Sequence, residues 1–213
     1  MIDARLHLAL DGGGLELPAE GTIAVFQPPR DSDLPGLDKD RVQIIHGFKP
    51  DYDAWAARGY NVVRTIKDRY AACIVCLPRA KAEARAVIAA ACEVCDGIVV
   101  IDGQKTDGAD SVLREMRDRV TVQGPISKAH GKMFWISEPA AEFFTDWRQG
   151  PELTEGGFWT APGVFSADGV DLASALLVDA LPEKLGAEVA DLGAGWGFLS
   201  AHALTRPDIK NLY

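Results

Sequence analysis

At 213 residues the chain has room for one large domain or two modest ones. Apolar residues at 47% beside charged residues at 25% supply a core, which excludes disorder as the default. The formal net charge of -9 excludes a surface that is basic throughout and made for nucleic acid or anionic lipid, although a local basic patch is compatible with it.

The opening Met1-Ile-Asp-Ala-Arg-Leu-His7 lacks the basic start, long apolar run and small-residue cleavage site of a secretory signal. No later run approaches the roughly 20 apolar residues that span a bilayer. The expectation is a cytoplasmic protein with no membrane partner. Thr22–Gln27, Val42–Ile45, Asn61–Arg64, Ala72–Leu77 and Gly97–Asp102 are near-continuous apolar runs closed by Pro, Gly or Asp, the pattern of strands buried on both faces. Pro78–Cys95 is rich in Ala, Glu, Arg and Lys without an internal breaker, and predicts a helix of about four turns. Asp107–Arg119 predicts another, with Val112, Leu113 and Met116 on one stripe. Val120–Gln123 and Met133–Ile136 close the set as strands, and 103–108 and 127–132 are expected to be loops. Strand and helix alternating with short connections implies parallel pairing with helices on both faces. The expected fold is therefore α/β, with a doubly wound, Rossmann-like domain over 1–148.

The turn-rich stretch 149–163 has no sustained period and is the expected linker. Asp168–Leu181 is expected to be helical, stopped by Pro182. Ala187–Asp191 then reads as a strand entering a glycine turn, and Phe198–Leu204 as the helix after it.

That turn, Asp191-Leu-Gly-Ala-Gly-Trp-Gly197, presents bare backbone to whatever approaches it. Its Gly-x-Gly-x-Gly spacing differs from the Gly-x-Gly-x-x-Gly of dinucleotide sites, and no Lys followed by Ser or Thr completes a P-loop. A carboxylate just before the turn suits a cationic ligand group such as an ammonium. The blander reading is a tight turn of any α/β protein.

These residues resemble the first motif of class I S-adenosyl-L-methionine-dependent methyltransferases. The upstream segment Pro162-Gly-Val-Phe-Ser-Ala-Asp-Gly-Val-Asp-Leu-Ala-Ser-Ala-Leu-Leu177 is similar to the lead-in of the two-domain ribosomal RNA guanine-N2 methyltransferases. The resemblance implies S-adenosyl-L-methionine as cofactor, held by Asp191, Gly193, Ala194 and Gly195, with Phe165, Asp171 and Ser174 walling the pocket. Phe165 also reads as a core residue, and Asp171 as a first-turn carboxylate favoured by the helix dipole. The resemblance further implies that 1–148 is a degenerate methyltransferase-like domain without a cofactor motif, that 164–213 begins the catalytic domain, and that the substrate is a guanine amino group of small-subunit ribosomal RNA.

Two features of that family are not found among these residues: the acidic residue ending its second strand, and the Asn-Pro-Pro-aromatic motif that aligns the base amino group. A guanine amino nitrogen is a poor nucleophile, so transfer needs acceptors for its hydrogens and an aromatic face to hold the ring. No catalytic residue is therefore assigned. The chain alone is expected to transfer no methyl group and to be a fragment of a longer enzyme. A non-catalytic module that binds RNA or a partner is the rival reading, as is methylation of a small molecule or protein.

Cys73, Cys76, Cys92 and Cys95 have the spacing of a zinc site, but the first pair lies in an apolar strand, where positions three apart face opposite ways. Four buried thiols, no metal and no disulfide are expected. Lys128, His130 and Lys132, with Lys105 near them, form the one compact basic group, open to two readings: a contact to RNA phosphate or a solvated loop.

Overall fold

Alternation along the buried strands sets the architecture of the first unit. In the computed structural model, which describes residues 2–139 and 141–213, the chain divides into two units, Met1–Arg148 and Gln149–Tyr213. Among the described residues the first unit holds seven strands: β1 (Ile23–Phe26), β2 (Val42–Ile45), β3 (Asn61–Val63), β4 (Tyr70–Cys76), β5 (Cys95–Gln104), β6 (Gln123–Lys128) and β7 (Gly131–Ile136). Its helices are α1 (Ile2–Leu10), α2 (Lys49–Ala57), α3 (Lys81–Val94) and α4 (Ala109–Arg117). The strand order is β3-β2-β1-β4-β5-β7-β6.

Ala24, Phe26, Cys73, Val75, Val99 and Ile101 point to one face of the sheet and pack with Ile88 of α3 and Leu113 of α4. Their neighbours Ile23, Val25, Ala72, Ile74, Ile98 and Val100 point to the other, against Leu6 of α1 and Trp55 of α2. Each strand thus supplies both cores, as period-2 geometry requires. Trp55 is completely buried, and its indole N–H donates to the Pro28 carbonyl at 2.9 Å.

The pairing from β3 through β5 is parallel, whereas β7 runs antiparallel to both β5 and β6. A strand therefore does not begin at Val120, whose N–H instead donates to the Met116 carbonyl and closes α4. The ladder begins at Gln123 and breaks register between Gln123 and Ile126, where Pro125 has no N–H to offer. Residues 127–132 form the tip of the β6–β7 hairpin rather than an irregular loop. Helices α1 and α2, which the sequence pattern did not single out, cover one sheet face.

One buried pair ties this unit together. Arg5 of α1 reaches across to Asp102 on β5, with Nε to Oδ1 at 2.5 Å and Nη2 to Oδ2 at 2.8 Å, and its third donor, Nη1, meets the Lys128 carbonyl at 2.9 Å. The side chains are 1% and 5% exposed.

His46, just past β2, is buried and lies 3.4 Å from Asp51. Its Nδ1 accepts from the Phe48 N–H at 3.2 Å, so Nε2 carries the proton of the neutral ring. Burial holds its pKa below the ordinary value of 6.5, against the opposing pull of Asp51. A depressed folded value means that the neutral ring's contribution is complete above about pH 6.5 and disappears as pH falls through the folded value. The difference in Tm between the wild type and His46→Gln is accordingly expected to shrink as pH falls from about 7 to 5; a difference that stays constant would remove His46 as the titrating group.

In the second unit, the stretch expected to be a linker contains a small antiparallel hairpin, β8 (Glu152–Leu153) with β9 (Trp159–Thr160). The following helix α5 spans Leu172–Ala180, four residues shorter at its start than the sequence suggests. Asp171 caps it instead, its carboxylate accepting from the Ser174 N–H. Strand β10 (Glu188–Val189), helix α6 (Phe198–Ala203) and strand β11 (Asn211–Leu212) then form a parallel β-α-β crossover.

Candidate cofactor site in the second unit

Strand β10 stops at Val189, two residues before Asp191, yet Asp191 is still held at the end of the ladder. Its N–H donates to the Tyr213 carbonyl at 2.8 Å. One oxygen of the Asp191 carboxylate accepts from the Ser200 hydroxyl at 2.7 Å, a bond that sets its orientation from the first turns of α6. The chain then bends through Gly193 (φ 82°), Gly195 (φ 59°) and Gly197 (φ 89°), and Gly197 opens the helix. Positive φ explains the glycines in part. Space explains the rest: a Cβ built on Gly193 meets nothing within 4 Å, so packing within the protein does not demand glycine there.

That open space belongs to a cavity of about 90 Å³ lined by Phe165, Asp171, Ser174, Gly193, Ala194 and Gly195, with Ser166, Trp196 and Phe198 beside them. Six of the seven residues singled out by sequence therefore converge on one cleft. The seventh, Asp191, sits at the end of the ladder just before the bend and is not among the residues that line the cleft. Phe165 is 69% exposed and is not a core residue. Asp171 serves the helix cap and the cavity wall together, since the carboxylate oxygen that accepts the Ser174 N–H also takes the Ser174 hydroxyl at 3.2 Å. The volume is well below the roughly 300–1,000 Å³ of whole small-molecule pockets, so the cleft suits one end of a ligand. A carboxylate, free backbone and a hydroxyl fit an amino-acid head group, and the open face over Gly193 leaves room for the remainder.

Sequence reasoning passed over the residues that hold the lead-in in place. The Trp196 indole N–H donates to the Phe165 carbonyl at 3.1 Å, and its ring packs on Phe158 at 4.9 Å between centroids. The buried Thr160 hydroxyl donates to the Ala167 carbonyl at 3.0 Å. The aromatic spacing Phe158, Trp196 and Phe198 was the visible signal, but it gains meaning only once the two segments are neighbours.

The four cysteines do not converge. Cys73, Cys92 and Cys95 lie in the core on one face of the sheet and Cys76 in the core on the other. Burial pushes the Cys76 thiol up and the Cys92 thiol up to about 12, and a hydrogen bond with Cys95 together with burial raises Cys73. Among the described residues no group of His, Cys, Asp or Glu is arranged to hold a metal, and no helix is long and apolar enough to cross a membrane.

Residues 155–212, which contain the bend and its lead-in, match the family model of the methyltransferase small domain. That match lies within the second unit and leaves the first unit outside it. The chain is similar to proteins named ribosomal RNA small subunit methyltransferase C: 42% identical over 74 residues to that of Erwinia tasmaniensis, and 32% identical over 143 residues to that of Vibrio parahaemolyticus. These alignments cover 34% and 62% of this chain but only 20% and 41% of the relatives, so the chain spans less than half their length. Among solved structures, a T. thermophilus 16S rRNA N2 methyltransferase in complex with AdoMet and guanosine superposes with a TM-score of 0.71. The match covers 99% of this chain and 61% of that one at 22% identity, a likeness of fold.

Proposed function

We propose that this chain is the N-terminal portion of an S-adenosyl-L-methionine-dependent methyltransferase that modifies a guanine amino group of small-subunit ribosomal RNA in the cytoplasm. The observation that carries the reading is the side-chain-free space above Gly193 at the mouth of a strand-to-helix bend. The relatives' names support the substrate, and the T. thermophilus protein's bound AdoMet supports the cofactor.

Bound there, S-adenosyl-L-methionine supplies an electrophilic methyl group on a sulfonium centre. Asp171, which lines the cleft, presents carboxylate charge to the ligand's ammonium; Asp191, fixed by Ser200 just before the bend, meets the ligand from the rim, and the bend allows close approach of backbone. Asp171, Ser174 and Phe165 wall the same end. These residues hold and orient; none is placed to align a base. The chain's two asparagines, Asn61 and Asn211, precede Val and Leu rather than proline. The 213-residue chain is therefore read as a cofactor-binding portion without transfer activity of its own. The first 148 residues are read as a methyltransferase-like domain without a cofactor motif, available for RNA.

Calorimetric titration of the chain with S-adenosyl-L-methionine, paired with a methyl-transfer assay on ribosomal RNA, tests this. Saturable binding without turnover is expected. Absence of binding at millimolar cofactor would favour a non-catalytic module, and turnover by the chain alone would refute the division of labour.

A further inference from the structure

The tip of the β6–β7 hairpin departs from the usual chemistry of such turns. Lys128 pairs with Gly131 across a two-residue loop, and both loop residues, Ala129 (φ 49°) and His130 (φ 57°), lie in the left-handed region. Loops of this kind normally use Asn-Gly because a Cβ is disfavoured there by about 1–2 kcal/mol per residue. The conformation is held from behind, by the Lys105 N–H donating to the His130 carbonyl at 2.9 Å and by Arg5 on the Lys128 carbonyl.

Between this tip and the start of α4 lies a cavity of about 330 Å³ whose charged walls are Lys105, Lys128, Lys132 and Asp110, with His130 beside them. Lys132 is paired with Asp110 at 2.5 Å. The hydrogen bond from Lys132 holds the Asp110 carboxyl below the usual range, and the fields of Lys105 and Arg114 reinforce it. Among the described residues, Lys105 and Lys128 carry no ion pair, and both are exposed. In a protein with a net charge of -9, three lysines thus line one cavity that holds a single carboxylate.

We infer that this cavity is a phosphate-binding subsite for the RNA backbone, in which Lys105 and Lys128 bind the phosphate and Lys132 joins them when Asp110 is displaced. The inference rests on the RNA reading given above. Contacts of this kind to phosphate fix the register and orientation of the nucleic acid and carry no sequence information themselves.

The test is fluorescence anisotropy of the full 213-residue chain with a fluorescein-labelled RNA hairpin of about 20 nucleotides, between roughly 50 and 200 mM salt. The double variant Lys105→Ala/Lys128→Ala is expected to bind roughly 10-fold more weakly at the low-salt end, with the slope of log K against log salt reduced by about 1–2. Lys105→Arg/Lys128→Arg retains binding, which separates charge from shape. Asp110→Asn binds roughly 2- to 5-fold more tightly, because it removes a repulsive charge and frees Lys132. Calorimetric affinity for S-adenosyl-L-methionine is unchanged in all three variants. Wild-type RNA binding that the double alanine variant leaves intact overturns the subsite while sparing the RNA reading; absence of wild-type RNA binding overturns both.

Discussion

Arg5→Met is expected to lower the Tm of the first unit by roughly 6–20 °C. Removing one member of a buried ion pair leaves the other charged and unsolvated, at a cost of about 3–5 kcal/mol, and about 2–4 °C of Tm accompanies each kcal/mol in a unit of this size. Asp102 is the group left behind, and burial already pushes its carboxyl up against the pull of the Arg5 guanidinium. The same variant releases the Lys128 carbonyl, so the β6–β7 hairpin loosens with the core. The double variant Arg5→Met/Asp102→Leu is expected to recover most of the loss, since an apolar pair of similar volume needs no solvation. Differential scanning calorimetry reads both. An unchanged Tm in Arg5→Met would mean that water, not Arg5, satisfies Asp102.

Gly193→Arg is expected to weaken S-adenosyl-L-methionine binding at least about 100-fold, to the point of disappearance from a calorimetric titration. Two effects add. A side chain at φ 82° is strained by about 1–2 kcal/mol, and a guanidinium directed into the cavity takes the ligand's place while opposing its ammonium charge. Because a Cβ at this position meets no neighbour, the substitution is accommodated without unfolding, and the first unit's Tm is expected to hold within a few degrees. Retained cofactor affinity in a folded Gly193→Arg variant would move the cofactor away from the bend.

The parts of this protein that were readable in the sequence are those whose cause is local. Strands β1, β2, β4 and β5 announce themselves because burial on both faces leaves near-continuous apolar runs. Helix α3 is a breaker-free stretch of helix formers. The bend from Asp191 to Gly197 is visible because conformations with positive φ select glycine. What stayed hidden depends on distant partners. In α2 only Trp55 is buried, too little to imprint a period. The hairpin tip uses Ala129 and His130 in place of the expected turn residues, and its geometry is imposed by Arg5 and Lys105 from elsewhere in the chain. In the candidate site, Ser200 and Trp196 acquire roles through the Asp191 carboxylate and the Phe165 carbonyl, nine and thirty-one positions away.

The two outermost strands of the seven-stranded sheet bear on how the first unit meets other molecules. One rim is β3, only three residues long; the other is β6, interrupted by Pro125 and ending in a lysine. Neither presents the long, flat row of vacant amide groups on which a stray strand could assemble. Partners are thereby steered away from backbone-mediated growth of the sheet and toward side chains displayed on its loops and helices, where charge and shape discriminate between them.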